Sequence, residues 1–364
     1  MQLLISAFKS VPDPRADNVR HDLVEVLIIA FIAVLSGATN CSEMAEFGRT
    51  KIRFLKRFLK LKHGVPSHDT FSNVLRIIDP KALDAAFGAL TASLLKALAD
   101  GGVIAIDGKS LKGAYDKGEA FMPRMMITAY ATNLRLTLAS LEVEGGNEVE
   151  AALGLVELID LEGHIVTADA LHCHRRMAKA ITDKGGDYCL TLKGNQEGLL
   201  SDARFCLSKT KIRRPASTTE DDGHGRVETR IATVVKVSPQ IAEHHDFPGL
   251  EAFGAIETTR RIDGRKETDV RIFALSRVLT PKALLVTVRA HWGIENGLHW
   301  QLDVTMREDA QRNRRDNGPA NIAVLRRRAL DVARHDTSKG SLAIKLKRAG
   351  WNHDFLLNML SQMR

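Results

Sequence analysis

A chain of 364 residues that is 44% hydrophobic and 26% charged has material for about two domains with real apolar cores, which excludes a disordered or fibrous protein. Its 52 lysines and arginines outnumber 44 acids for a net charge of +8, so the surface attracts polyanions, nucleic acid among them. The cysteines Cys41, Cys173, Cys189 and Cys206 make no CxxC pair, which excludes a disulfide scaffold, and no segment reaches the ~20 apolar residues of a membrane span, so a cytoplasmic protein with no membrane partner is expected.

Residues 1–100 read as an all-helical domain with a DNA-binding or accessory role. Leu23 to Leu35 is apolar apart from Glu25 and predicts a buried helix. Ser42 to Leu61 predicts a second, with Met44, Phe47, Ile52, Leu55, Phe58 and Leu59 at roughly helical spacing. The rest of that helix carries Arg49, Lys51, Arg53, Lys56, Arg57, Lys60 and Lys62 with no acid among them. Such a face is either merely solvated or binds phosphates, which makes Lys56 and Arg57 candidate DNA contacts. Ser67 or Asp69 caps a third helix, Asp79-Pro80 ends it, and a fourth runs from about Lys81 to Ala99 toward an Asp100-Gly101-Gly102 linker.

From residue 101 to 196 the texture is that of an α/β core. Val103 to Ile106 form a short apolar strand of the kind buried on both faces, and it ends in Asp107-Gly108. Taken alone, that pair reads more readily as a turn than as a functional acid. Arg124 to Thr132 and Arg135 to Val143 predict a hairpin, Glu148 to Ile159 a helix, and His164 to Asp169 a second apolar strand ending in an acid. A helix over His174 to Lys184 and a strand over Asp187 to Leu192 follow. Right-handed crossovers place these later strands parallel to the first, which brings Asp107 and Asp169 to the same sheet edge.

Residues 197–280 read as a β-rich insertion, with strands from Arg226, over Ala255 to Arg260 and over Asp269 to Leu275. Residues 281–364 continue the core with a helix that starts at Pro281 and contains Glu295. His291 and His299 lie four residues to either side of Glu295, on one face of a regular helix. A zinc site is one reading of that stack, although a fourth ligand is not evident, and a helical salt bridge is another. His172-Cys173-His174, directly after Asp169, is taken as incidental to metal binding, and Trp292 and Trp300 are expected in the core. Between 307 and 364 the chain carries 13 basic residues against 6 acids, including Arg307, Arg312, Arg314, Arg315 and the run Arg326-Arg327-Arg328.

The ordered series IAIDGKSLKGA, IVTADALHCHR, YCLTLKGNQ, HGRVETR and RAHWGIENGLHWQLDVTMREDAQRNR resembles the DDE-type transposases of bacterial insertion sequences. More narrowly, it is similar to the branch that includes the H-repeat-associated proteins. VPDPRADNVRH, EFGRTKIRFLKRFL and GVPSHDTFSNVLRIIDP resemble the helical domain that accompanies those enzymes. The resemblance implies an α/β fold: a ribonuclease H-like mixed sheet with a β-rich insertion and an N-terminal all-helical domain. By position it assigns Asp107, Asp169 and Glu295 to the metal-binding catalytic triad. The wider class shows a Tyr-x2-Arg-x3-Glu-x6-Lys signature, and here Val288, His291, Glu295 and Leu302 stand at those positions. Of the three replaced residues only His291 could still donate a hydrogen bond to DNA.

What this implies is cleavage of double-stranded DNA at inverted-repeat ends and transfer of the freed 3′-hydroxyl into a target, with Mg2+ or Mn2+ as cofactor. Carboxylates suit such hard cations, and two ions about 3.5 to 4 Å apart clamp the attacking and leaving oxygens of an in-line displacement. Three acids in one place also repel one another, so a site poorly assembled without metal is expected. Lys109, Lys112 and Lys193 near the strand ends, Asn195, Arg226 and Arg230 in the insertion, and Arg312, Arg314 and Arg315 are candidate DNA contacts. Pairing two ends implies a homo-oligomer. A nuclease that cuts without joining, or an idle DNA-binding derivative, would carry the same carboxylates.

Overall fold

The computed structural model describes residues 1–16, 19–95, 102–115, 123–210, 221–223, 226–262 and 265–362. Helix α1 (Gln2–Phe8) leads to α2 (Leu23–Leu35), which is capped by the Asp22 carboxylate accepting from the Glu25 N–H. Its sequence is apolar on every side and the helix is buried almost throughout, as such a helix must be. The predicted helix over 42–61 is instead two pieces, α3 (Cys41–Thr50) and the single turn α4 (Ile52–Leu55). A tertiary contact overrides the periodicity after that turn: the backbone N–H groups of Lys60 and Leu61 donate to the Glu25 carboxylate at 2.6 and 3.0 Å. Ser67, rather than Asp69, caps α5 (His68–Ile77), and α6 (Pro80–Leu95) begins at the expected proline. The linker residues Asp100 and Gly101 lie outside the described residues.

The core follows in the predicted order: β1 (Val103–Ser110), β2 (Met125–Ala131), β3 (Leu136–Glu142), α7 (Glu148–Glu157), β4 (Ile165–Ala168), α8 (Arg175–Asp183), β5 (Asp187–Leu192) and α9 (Glu197–Lys209). β1 pairs antiparallel with β2 and parallel with β4, and β4 pairs parallel with β5. This mixed order, β3-β2-β1-β4-β5, is the expected ribonuclease H-like arrangement. The strands of the insertion, β6 (Asp221–Gly223), β7 (Arg226–Lys236), β8 (Ala252–Ile262) and β9 (Arg265–Leu275), with α10 (Pro239–His245) between β7 and β8, extend that same sheet. β9 runs antiparallel to β5, so among the described residues nine strands share one sheet.

Alternation along β1 sorts its side chains between two cores. Ile104 and Ile106 face the core that contains α7 and α8 residues such as Leu155 and Ile181. Ala105 faces the opposite core, which is shared with the N-terminal helices. After α11 (Pro281–Gly293), whose Leu284 and Leu285 pack in a third core with the insertion strands, that second core takes in a π-helical segment (Ile294–His299), α12 (Trp300–Val304), α13 (Gly318–His335), α14 (Leu342–Trp351) and α15 (His353–Ser361).

Arg326, Arg327 and Arg328 were expected among the surface charges of a basic tail, but all three are at most 1% exposed inside α13. Apolar residues flank the run on both sides, so the helix buries it and each guanidinium finds partners inside the protein, although among the described residues Arg326 Nε and Arg327 Nη2 have none. Arg326 donates to Gln311 and to the Thr39 carbonyl, and Arg327 to Glu308 and the Thr128 hydroxyl. Arg328 donates to Asp84 of α6 and to the carbonyls of Thr137 and Leu138 in β3. One helix thus ties the N-terminal helices to the sheet. Trp292 and Trp300, expected in the core, are 38% and 53% exposed.

Candidate active site

The parallel register decides where the first two acids stand. Ile106 pairs with Ala168, so Asp107 and Asp169, each one residue further on, stand side by side; Asp169 follows the end of β4, whereas β1 runs on through Asp107 to Ser110 instead of ending at the acid as the sequence predicts. The Asp107 Oδ1 accepts from the Gly108 N–H at 2.9 Å, and the Asp169 Oδ1 accepts from Leu171 N–H at 3.0 Å, which holds both carboxylates near the backbone. Glu295 arrives from the other chain end on the π-helical segment. That segment wraps more loosely than an α-helix, so the regular four-residue stacking expected of His291, Glu295 and His299 is interrupted between Ile294 and His299. His291 Nδ1 meets the Thr167 hydroxyl at 3.0 Å, whereas His299 Nδ1 lies 3.5 Å from Asp107 Oδ2. The two rings point to different strands, and the zinc reading finds no support in them.

Electrostatics mark the same place. Burial, then the nearby charges of Glu295, Asp169 and Glu148, push the Asp107 carboxyl up to about 7. Glu295 is also raised, by burial, against the opposing pull of Arg271. Burial takes His291 down to about 4 and His299 down to about 3, so both rings are neutral near pH 7. Acids crowded in this way are unfavourable unless a cation offsets their charge. Glu148, the first residue of α7, was read only as a helix start, and its part in this group was missed. His172, taken as incidental, lies between acids, with Nε2 at 3.4 Å from Glu148 and 3.9 Å from Asp169. An acid opening the helix after the β2–β3 hairpin was the available signal.

The basic candidates divide. Lys109 is 7% exposed and pairs with Asp303 at 2.7 Å and Asp309 at 3.6 Å, so it is neutralised inside the protein rather than presented to phosphates. Lys112 is exposed and also pairs with Asp309, at 2.8 Å. Asn195 closes a turn, its amide donating to the carbonyls of Ala170 and Cys173. Arg230 pairs with Glu228 at 2.9 Å, and the Arg226 side chain lies outside the described residues. Lys193, Lys56, Arg57, Arg312, Arg314 and Arg315 are exposed. Arg314 donates to the Gly113 carbonyl, which places its loop at the exit of β1. A cleft of about 460 Å³ adjoins the Glu295 segment, lined by Arg230, Arg260, Arg271, Trp292 and Asn296 among others.

Comparison with known proteins gives the family. The Transposase DDE domain matches residues 98–330, and the DDE_Tnp_1-associated domain matches residues 5–91. The chain belongs to the DDE transposases. It is 31% identical to the H repeat-associated putative transposase YhhI of Escherichia coli strain K12 over 99% of this chain and 98% of that protein. A putative transposase, YncI, of Escherichia coli O157:H7 is likewise 31% identical, over 99% of this chain and 95% of its own length. An uncharacterized protein in the dhlA 3′ region of Xanthobacter autotrophicus is 37% identical over 75% of this chain and 94% of its own. The expected family and branch are therefore borne out, and DNA is the partner of this transposase. No helix among the described residues is long and apolar enough to cross a membrane.

Proposed function

We propose that this transposase cuts DNA at the ends of its element and joins the freed 3′-hydroxyl to target DNA, with Asp107, Asp169 and Glu295 as its acids. The observation that carries this reading is the register of β1 and β4, which brings two acids 62 residues apart in sequence to one sheet edge. Oxygen donors gathered without a balancing cation fit Mg2+ or Mn2+ and suit thiophilic metals poorly. Among the described residues no three His, Cys, Asp or Glu side chains already stand at single-ion spacing, so the carboxylates would draw together on binding. Asp107, between Asp169 and the Glu295 segment, would be shared between two ions, with Asp169 and Glu295 each holding one.

When bound, such ions neutralise the phosphate oxygens and stabilise the leaving oxygen. In the first step water displaces one strand at the phosphorus and releases a 3′-hydroxyl. In the second, that hydroxyl displaces an oxygen of the target phosphodiester, so bonds made and broken balance. The chain's own part is to fix Asp107 within β1, Asp169 at the end of β4 and Glu295 on the π-helical segment, and to keep His299 and His291 as neutral hydrogen-bonding groups beside them. Lys193, Arg312, Arg314 and Arg315 hold the DNA backbone, supported by their exposure, and Lys56 and Arg57 extend that surface onto the helical domain. Two copies would pair two ends.

The test incubates the protein and its Asp107→Asn variant with DNA flanking the gene, a target plasmid and either Mg2+ or Mn2+. Cleavage and joining by the wild type alone is the expected result. Cleavage without joining would leave a nuclease, and equal products from both proteins would remove this site.

A further inference from the structure

Resting on that reading of the site, we propose that Glu148 is a fourth carboxylate of the same divalent-cation site, and that His172 is the positioning residue that holds it beside Asp169. Glu148 is not occupied by the usual duties of an acid at a helix start. Asn147 performs the capping of α7, its side chain accepting from the Glu150 N–H at 3.2 Å. Glu150 makes the surface ion pair, bidentate to Arg176 at 2.6 and 2.9 Å. Among the described residues no lysine or arginine pairs with Glu148, although a carboxylate left uncompensated beside other acids is unfavourable.

Its position explains that exposure to repulsion. A Cβ built on Gly108 would stand 2.5 Å from the Glu148 Oε1, so the carboxylate rests against the backbone of the residue that follows Asp107. A glycine there is what leaves the acid room. From the other side comes His172, on the turn after β4. The ring is 1% exposed, neither of its nitrogens makes a hydrogen bond, and its Nε2 looks toward Glu148 and Asp169 at once. A buried, unpartnered ring aimed between two carboxylates is an independent mark of a place built for something further. Oxygen ligands from β1, β4, α7 and the π-helical segment would then surround the cation, with the histidine fixing two of them, as second-layer groups do around bound metals.

The experiment measures Mn2+ binding to the full chain, without DNA, by electron paramagnetic resonance of the free ion, so activity is not the readout. Glu148→Gln is expected to weaken Mn2+ binding at least about tenfold, and His172→Gln by a comparable factor, the range for lost supporting groups. Glu150→Gln, on the same helix turn, is expected to bind as the wild type does. Should Glu148→Gln melt at a lower temperature, Gly108→Ala gives a second route, because the new methyl displaces the carboxylate without removing its charge. It too is expected to weaken binding. If Asp107→Asn loses Mn2+ while Glu148→Gln and Gly108→Ala keep wild-type affinity, the fourth carboxylate is wrong and the three-acid site stands. If Asp107→Asn also binds as wild type, the site itself is misplaced.

Discussion

His299 Nδ1 lies 3.5 Å from Asp107 Oδ2, a contact that looks like an ion pair but is not one near neutral pH, because burial and the Arg327 and Lys109 charges take the ring down to about 3. Asp107 therefore has no cation to offset its burial and its acidic neighbours, and its carboxyl is pushed up to about 7. The unfolded chain releases this proton near 4 and the native protein near 7, so the native state binds more protons between them. For this group, stability is full below the unfolded value and declines as pH rises toward 7.

Asp107→Asn should therefore stabilise the metal-free protein at pH 8 by about 1–4 kcal/mol, and the gain should shrink to nothing near pH 4. Thermal melts of chelator-treated wild type and variant across that range provide the check. A difference independent of pH would contradict the assigned environment of Asp107.

Lys109 and Lys193 separate structure from DNA binding. Removing the buried Lys109 leaves Asp303 without its partner at 2.7 Å, so Lys109→Ala is expected to cost about 1–3 kcal/mol of stability. Lys193→Ala should leave stability within about 0.5 kcal/mol and reduce the salt slope of DNA binding by about one unit. Binding titrations over a range of salt, alongside denaturant melts, distinguish the two; the reverse pattern would refute the assignment.

Arg328 of α13 and Asp84 of α6 meet at 2.8 Å in the core shared by the helices and β3. Arg328→Met strands a buried carboxylate and is expected to cost about 3–5 kcal/mol. Adding Asp84→Leu should recover part of the loss by removing the stranded charge, but not all of it, because the Ser140 N–H and the Thr137 and Leu138 carbonyls lose their partners. Denaturant unfolding of the single and double variants measures it; strictly additive losses would show that the two residues act independently.

Two glycines of the same motif should behave differently. A Cβ at Gly113 would stand 2.1 Å from the Gln311 carbonyl oxygen and 3.0 Å from that of Asp309, both backbone atoms that cannot swing away. Gly113→Ala is expected to destabilise by about 2–4 kcal/mol. At Gly108 the obstacles are the ends of Glu148 and Met125 side chains, and Gly108→Ala should cost less than about 1.5 kcal/mol. Melting temperatures of the two variants decide; equal losses would contradict the contrast.

Short apolar runs ending in Asp107 and Asp169, the hairpin between them and the crossover rule made the parallel placement of the two acid-bearing strands legible in the sequence, and the resemblance to DDE transposases supplied the ribonuclease H-like arrangement. Local pattern suffices there, since strand period and buried runs are properties of neighbouring residues. Pattern was misleading where distant groups competed with it. The helix predicted over 42–61 does not continue because Glu25 takes the N–H groups at its far end. The arginine run of α13 looked like a surface patch because its partners, Asp84, Glu308 and Gln311, lie elsewhere in the chain.

The sequence by itself determined the succession of core elements, the family and the three acids proposed for catalysis, because motif and period are written in adjacent positions. Only the tertiary structure decided that Lys109 is neutralised, that Trp292 and Trp300 are exposed, and that Glu148 and His172 stand with the acids. Those outcomes depend on which side chains meet between separate elements of the fold, from Glu148 of α7 with His172 after β4 to Lys109 of β1 with Asp303 of α12. Charge and burial are properties of that meeting, so no single stretch of sequence carries them.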